Sequence, residues 1–345
     1  MNTGVSIYFS SGREFNEALI EKARKAKVKH GFTSMHIPEE DEKGYREDAK
    51  ALFKSCREAG IALTIDVDPT TPERLGLKSM AELKELGVES LRLDFGFDDS
   101  DVVELSKLFH IVWNASTVSV NEVKRWETLG ACIDNFSACH NYYPKKYSGL
   151  SLERVKEINS ELKMLGMRTE GFVPGNKVLR GPIKEGLPTV EEHRELDDIL
   201  LSFLQMYDAK TDIVYIGDCD IFDSDWAKLV DLSDGFVRLH TSYLNEERLK
   251  GIIQHDRPDS SEYVIRSQES RLWDFNTSVV PRNAVDAKVG DIRMANDLYL
   301  RYRGEVEICR KPIRSDERVN VIGHVEESDL VYIPYIKNGM GFMFV

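Results

Sequence analysis

Short apolar runs alternate with longer, charged segments of helical period through the first 235 residues. The runs are Val5–Ser10, Phe32–Ile37, Ala62–Asp68, Ser90–Gly96, Ile111–Ser116, Cys132–Ala138, Arg168–Pro174 and Ile213–Asp218. Between them, segments such as EFNEALIEKARKAK, YREDAKALFKSCREAG and SLERVKEINSELKMLG repeat apolar residues at the spacing of an amphipathic helix. Eight strand-then-helix units in this length predict an α/β fold, a (β/α)8 TIM barrel, for which about 250 residues is typical. The competitor is an open doubly wound sheet, which usually has fewer strands and a Gly-rich phosphate turn after the first. SIYFSSGREF has no G-x-G-x-x-G, so the barrel is preferred.

Parity within the runs sharpens this reading. Val5, Ile7 and Phe9 alternate with Ser6, Tyr8 and Ser10; Leu63, Ile65 and Val67 with Thr64, Asp66 and Asp68; Leu91, Leu93 and Phe95 with Arg92 and Asp94. Strand side chains point alternately to opposite faces, so the apolar set is expected to meet the helices and the polar set to face the barrel interior. His36, Asp66, Asp68, Asp94, Asn114 and Ser116 then gather at the C-terminal ends of the strands, where barrel enzymes place their chemistry.

After Ser233-Asp234-Gly235 the helical period fades. EYVIRS, NAVDAKVGD, LYLRYRGEVEICRK, VNVIGHV, LVYIPY and GFMFV read as short strands of a small antiparallel sheet or barrel. The chain of 345 residues is thus expected to divide into a barrel over 1–235 and a β domain over 236–345.

Charge is uneven. The part after Gly235 carries 16 basic and 17 acidic residues, leaving 30 and 42 for the barrel, which therefore holds −12 of the net −13. Nucleic-acid binding needs clustered Lys and Arg, so it is not expected. An anionic substrate must be caught by a few placed cations. The sequence has no apolar stretch of transmembrane length, and MNTGVSIYFSSG has neither the basic nor the apolar region of a secretory signal. Five scattered cysteines, none in C-x-x-C, suit a reducing compartment. A cytoplasmic protein without membrane contact is expected, and the oligomeric state is left open.

Paired carboxylates carry the strongest chemical signal. Asp66 and Asp94 share parity on adjacent strands, and two carboxyl groups in one cavity push their pKa values apart, as glycoside hydrolysis requires. Asp68, Glu185 and the acidic run Glu39, Glu40 and Asp41 are further acids at the same end. HNYYPKKYSGLS offers His140, Asn141, Tyr142 and Tyr143, aromatic and amide groups suited to a sugar ring and its hydroxyls. The long segment VPGNKVLRGPIKEGLPTVEEHR after strand seven is a candidate lid, with Arg180 placed to grip a phosphate. Ser6, Tyr8, His36, Arg92, Asn114 and Asp218 join them as candidates for substrate binding. No metal-ligand spacing is present, so neither metal nor organic cofactor is expected.

The stretches GVSIY, FTSMHIPEED, RLDFGF, WNAST, HNYYP, SGLS, RGPIKEGLPTVEEHR, IGD, VIRSQESR and LYLRYRGEVEI together resemble the 6-phospho-N-acetylmuramidases, glycoside hydrolase family 170, formerly described as outer surface proteins. The resemblance implies a barrel followed by a cyclophilin-like β-barrel domain. It implies a cytoplasmic hydrolase acting on a small molecule, the bond between 6-phospho-N-acetylmuramic acid and N-acetylglucosamine, during peptidoglycan recycling. Asp66 and Asp94 are then the carboxylate pair, with Glu40 and Glu185 in reserve. Arg180, assisted by Lys145 or Lys177, would hold the phosphate or lactyl carboxylate, and Asn114, His140, Asn141 and Tyr143 would orient the sugar. Arg266 and Arg271 are expected over the barrel mouth or at a domain-interface salt bridge. The chain departs from the family pattern at Asp68, at Lys145-Lys146 and at Glu170-Gly171, where small apolar residues are usual. Two other classes are carried alongside: a phosphosugar lyase or aldolase using Lys145 or Lys146, and a non-catalytic sugar-phosphate-binding protein.

Overall fold

A computed structural model describes residues 1–35, 45–271, 273 and 278–345, without the side chains of Tyr45 and Arg271. It separates into two units, Met1–Ser233 and Asp234–Val345. In the first unit eight parallel strands close into a barrel in chain order: β1 (Asn2–Ser6), β2 (His30–Ser34), β3 (Ala62–Val67), β4 (Ser90–Leu93), β5 (His110–Asn114), β6 (Phe136–Cys139), β7 (Arg168–Val173) and β8 (Ile213–Ile216). Eight helices follow: α1 (Arg13–Lys25), α2 (Tyr45–Glu58), α3 (Thr71–Leu75), α4 (Asp99–Leu108), α5 (Val120–Thr128), α6 (Leu152–Met164), α7 (Ile199–Asp208) and α8 (Asp223–Ser233). Their starts follow from local chemistry. Asp98 with Asp101 and Ser119 with Glu122 form reciprocal capping boxes, and Ser151 and Asp198 accept from the first free amides of α6 and α7.

Strand bounds differ from the sequence reading at several ends. β1 ends earlier, at Ser6, and Phe9–Ser11 beyond it closes into a 3-10 turn; β6 begins later because Ile133–Asn135 does the same. The parity reading is seen where strands are regular: Val5, Ile7, Ile65, Val67, Leu91 and Leu93 are buried in the outer layer.

The barrel interior is filled in layers. At the N-terminal end the Arg168 guanidinium donates to His110 Nε2 at 3.1 Å, and burial with this cation holds the His110 pKa near 4. One layer up, Glu170 accepts the Ser137 hydroxyl at 2.9 Å and the Tyr215 hydroxyl at 3.0 Å. Above it Phe32, Phe172 and Tyr215 plug the axis, with ring centroids 5.1–6.1 Å apart. Gly4 makes room for this plug, because a Cβ there would lie 2.3 Å from the Tyr215 ring.

The second unit contains β9 (Phe236–Leu239), β10 (Thr241–Leu244), β11 (Ile253–His255), β12 (Val264–Arg266), β13 (Asp291–Ala295), β14 (Val306–Cys309), β15 (Val319–Val325) and β16 (Gly341–Phe344). These lie in a five-stranded sheet, β10-β15-β13-β14-β12, and a three-stranded sheet, β11-β16-β9, a small β domain of the kind read from the sequence. LVYIPY is not a strand but part of a 3-10 run over Glu327–Tyr335, in keeping with Pro334, which has no N–H for a ladder.

Arg194 holds the loops that follow β6 and β7. Its side chain, 3% exposed, donates to the carbonyls of Tyr143, Glu185 and Gly186 and to the Glu191 carboxylate. Glu191 in turn accepts the amides of Tyr147 and Gly149, and Arg194 holds its carboxyl down at about 2. Each partner satisfies backbone groups that loops otherwise leave to water.

Two predictions follow from these interiors. Burial raises the Glu170 carboxyl, so the folded chain keeps a proton that the unfolded chain loses near pH ~4.3. That stabilisation is complete below this pH and is lost as pH rises through the raised value. Urea unfolding of wild type and Glu170→Gln at pH 5 and pH 8 should show the wild type losing more stability than the variant across that interval; equal losses would refute the assignment. For Arg194→Ala, limited proteolysis should open new cuts within residues 142–149 and 175–190, with a stability loss of about 1–3 kcal/mol. Arg194→Lys should not restore protection, since an ammonium lacks the planar fork. An unchanged cleavage map in the alanine variant would show the loops to be held elsewhere.

Candidate active site

The register of β2, β3 and β4 sets Ser34 beside Asp66 and Asp66 beside Arg92. All three face inward near the C-terminal mouth. Arg92 Nη1 donates to Asp66 Oδ1 at 3.0 Å, Ser34 Oγ to Asp66 Oδ2 at 3.4 Å, and Arg92 Nη2 to Asn141 Oδ1 at 2.5 Å. The Asp66 and Arg92 side chains are each 9% exposed, so this is a buried ion pair. Losing one partner of such a pair typically costs about 3–5 kcal/mol. Asp94, two residues beyond Arg92 on the same side, is half-buried and adds its charge to the field at Arg92.

A cleft of about 630 Å³ opens over this belt, lined by Arg92, Asp94, Asn114 and Asn141 at the barrel end and by Phe97 and Trp126 farther out. Its size is that of a small-molecule site. Of the three described carboxylates expected to act, Asp94 is the one that lines this cleft. Asp66 lies beneath Arg92, and Glu185 pairs with Lys146 at 2.9 Å beside a hollow of about 90 Å³ that Arg180 also lines. His36, Glu39, Glu40 and Asp41 lie outside the described residues.

On the β7–β8–β1 side the groups are arranged differently. The Tyr8 hydroxyl donates to the Gly217 carbonyl at 2.5 Å, and burial raises its pKa well above 10. Its ring lies 4.5 Å from the Arg180 guanidinium carbon. Arg180 makes no ion pair among the described residues, and its Nε is buried without a hydrogen-bond partner. Tyr142, packed on Phe172 at 5.1 Å, feels Arg180, Asp66 and Arg92, so it stands between the two sides of the mouth. Ser6 is buried below Tyr8, and Lys145 is exposed in the neighbouring loop.

Several expected site residues do other work. Asp218 accepts backbone amides from Gly175, Arg180 and Leu187 at 2.8–2.9 Å and is a buried anchor for the β7 loop. His140 faces the helix layer, where Nε2 meets Asn159 Oδ1 at 2.9 Å, and burial lowers its pKa to about 4. Asp68 accepts from Thr70 and Thr71 at the start of α3. Tyr143 is half-buried, its amide bonded to Pro188. Lys177 pairs with Asp220 and Asp223, and Arg266 with Glu305 inside the second unit. Lys146, held by Glu185 and Glu195, has a raised pKa, the opposite of what a Schiff-base nucleophile needs. Tyr142, read from the sequence as a sugar-facing aromatic, lies between the two sides; sequence reasoning missed Arg194 as the loop clasp, whose only signal was its place in VEEHR.

Among the described residues no group of three or more His, Cys, Asp or Glu side chains is placed to hold a metal ion, and no helix is long and apolar enough to cross a membrane.

Comparison with known proteins adds a family. A crystal structure of a conserved Enterococcus faecalis protein of unknown function superposes with a TM-score of 0.75 at 28% identity, covering 100% of this chain and 96% of the other. An uncharacterised B. cereus protein gives a TM-score of 0.75 at 24% identity, covering 100% and 99%. No curated protein matches the sequence. The family model described as 6-phospho-N-acetylmuramidase, N-terminal, matches residues 3–231, and its C-terminal counterpart matches residues 237–345. With both halves matched in order, the chain belongs to the 6-phospho-N-acetylmuramidase family.

Proposed function

We propose that the chain is a glycoside hydrolase that cleaves the bond between 6-phospho-N-acetylmuramic acid and N-acetylglucosamine, in the cytoplasm and in the service of peptidoglycan recycling. The observation that carries this reading is the stack Asp66–Arg92–Asp94 at the barrel mouth, together with Arg180, which makes no ion pair among the described residues. Asp66, paired with Arg92, supplies negative charge to stabilise the positive charge developing on the sugar ring. Asp94, on the cleft, gives a proton to the glycosidic oxygen as the bond from the anomeric carbon breaks. Water then adds to that carbon and releases a proton to a carboxylate, so the site is restored. Asn114 and Asn141 suit the sugar hydroxyls and amide, and Arg180, with Lys145 beside it, suits the 6-phosphate. A lysine-based lyase is disfavoured by the ion pairing of Lys146.

The test uses the muramyl–glucosamine disaccharide with and without its 6-phosphate, with released N-acetylglucosamine as the readout. Wild type should cleave the phosphorylated form. Asp94→Asn should lower kcat by about 10²–10⁴-fold, the usual range for a general acid. Arg180→Met should raise KM for the phosphorylated sugar by about 10–100-fold, equivalent to one charged hydrogen bond. Equal cleavage of both sugars would remove the phosphate site. Binding of either without cleavage would replace the hydrolase with a sugar-phosphate-binding protein.

A further inference from the structure

The rim of the cleft carries an aromatic residue that the fold does not use. Phe95 shares parity with Leu91 and Leu93 and on sequence grounds belongs against the helices, yet it is 78% exposed. β4 ends at Leu93, so alternation no longer fixes its direction. The next residue, Gly96, has φ +98°, and a Cβ there would lie 3.1 Å from Pro69 Cγ. The loop is thus pressed against Pro69 on one side. On the other it is fixed by the Asp98 cap, which accepts from Asp101 and Ser100 at 2.9 and 2.6 Å. Phe95 stands on a short segment pinned at both ends.

Leaving so large a side chain in water forgoes the stabilisation that burial of an aromatic ring gives. It stands immediately beyond Asp94, and Phe97 lines the same cleft. Arg125 and Trp126 Nε1 both donate to Asp99 at 2.9 and 2.8 Å, fixing the outer wall. An open aromatic face beside carboxylate, amide and guanidinium groups matches a pyranose, which has an apolar face and a polar edge. The acidic groups Asp94, Asp99 and Glu122 along this cleft disfavour a second phosphate.

Building on the hydrolase reading above, we infer that Phe95, backed by Phe97, is the stacking platform of a second sugar subsite, which takes the uncharged N-acetylamino hexose leaving over Asp94. The phosphorylated ring then lies toward Arg180 and the neutral ring toward Phe95, with the scissile bond between them.

Two measurements separate this inference from the reading it rests on. Saturation-transfer NMR with methyl β-N-acetylglucosaminide needs no turnover: wild type should transfer to the sugar, Phe95→Trp should keep the signal, and Phe95→Ala should lose most of it. In turnover, the ratio of kcat/KM for the phosphorylated disaccharide to that for methyl 6-phospho-N-acetylmuramide should fall about five- to tenfold in Phe95→Ala. No transfer in wild type, or an unchanged signal and ratio in Phe95→Ala, would overturn the subsite. Transfer that depends on Phe95, in a protein that cleaves no disaccharide, would support the subsite and overturn the hydrolase.

Discussion

The pairing of Arg92 with Asp66 governs the mouth of the barrel. A guanidinium or carboxylate taken out of water is tolerated only with a partner and further hydrogen bonds. Register supplies both, because Asp66 lies directly beside Arg92 on one strand and Ser34 on the other. The Nη2 group of Arg92 reaches Asn141, whose backbone carbonyl in turn accepts the Thr189 hydroxyl at 2.9 Å. A strand pairing at β3–β4 thereby fixes the loop after β6 and, through Thr189, the loop after β7. Asp94 stands on the cleft because the residue two places before it is held in this way.

Below that belt the barrel is a filled platform. The aromatic plug closes the axis, and Glu170 links β6 to β8 through two hydroxyl groups. Burial raises the pKa of this carboxyl, because an ionised group at that depth is costly. The rigidity this gives is what a site needs when its groups must keep their places during reaction.

The parts of this arrangement visible in the sequence were those fixed by period. Alternation in LTID and LRLD placed Asp66, Arg92 and Asp94 on one side, and the repetition of strand and helix gave the barrel. What lay beyond the strand ends was not visible. Asp218 and His140 follow β8 and β6 directly, yet one turns to loop amides and the other to α6, because side-chain direction outside a ladder depends on the local turn. Phe95 left its parity for the same reason. In the second unit, LVYIPY and the LYLRY start of LYLRYRGEVEICRK read as strands from their apolar content but form 3-10 segments. Short apolar runs do not distinguish the two.

Charge explains how so acidic a barrel suits an anionic substrate. With −12 on the first 235 residues, the long-range field repels a phosphate, so any attraction must be local. The mouth has two arginines treated in opposite ways. Arg92 is neutralised by Asp66, whereas Arg180 rests on the ring of Tyr8, whose phenol burial keeps uncharged. A cation on an aromatic face keeps its full charge for a ligand while its stem stays in place. Replacing Tyr8 by a carboxylate would hold the arginine as firmly and leave nothing for the phosphate. The choice of partner for each arginine, more than the number of basic residues, is what separates the phosphate side of the mouth from the carboxylate side.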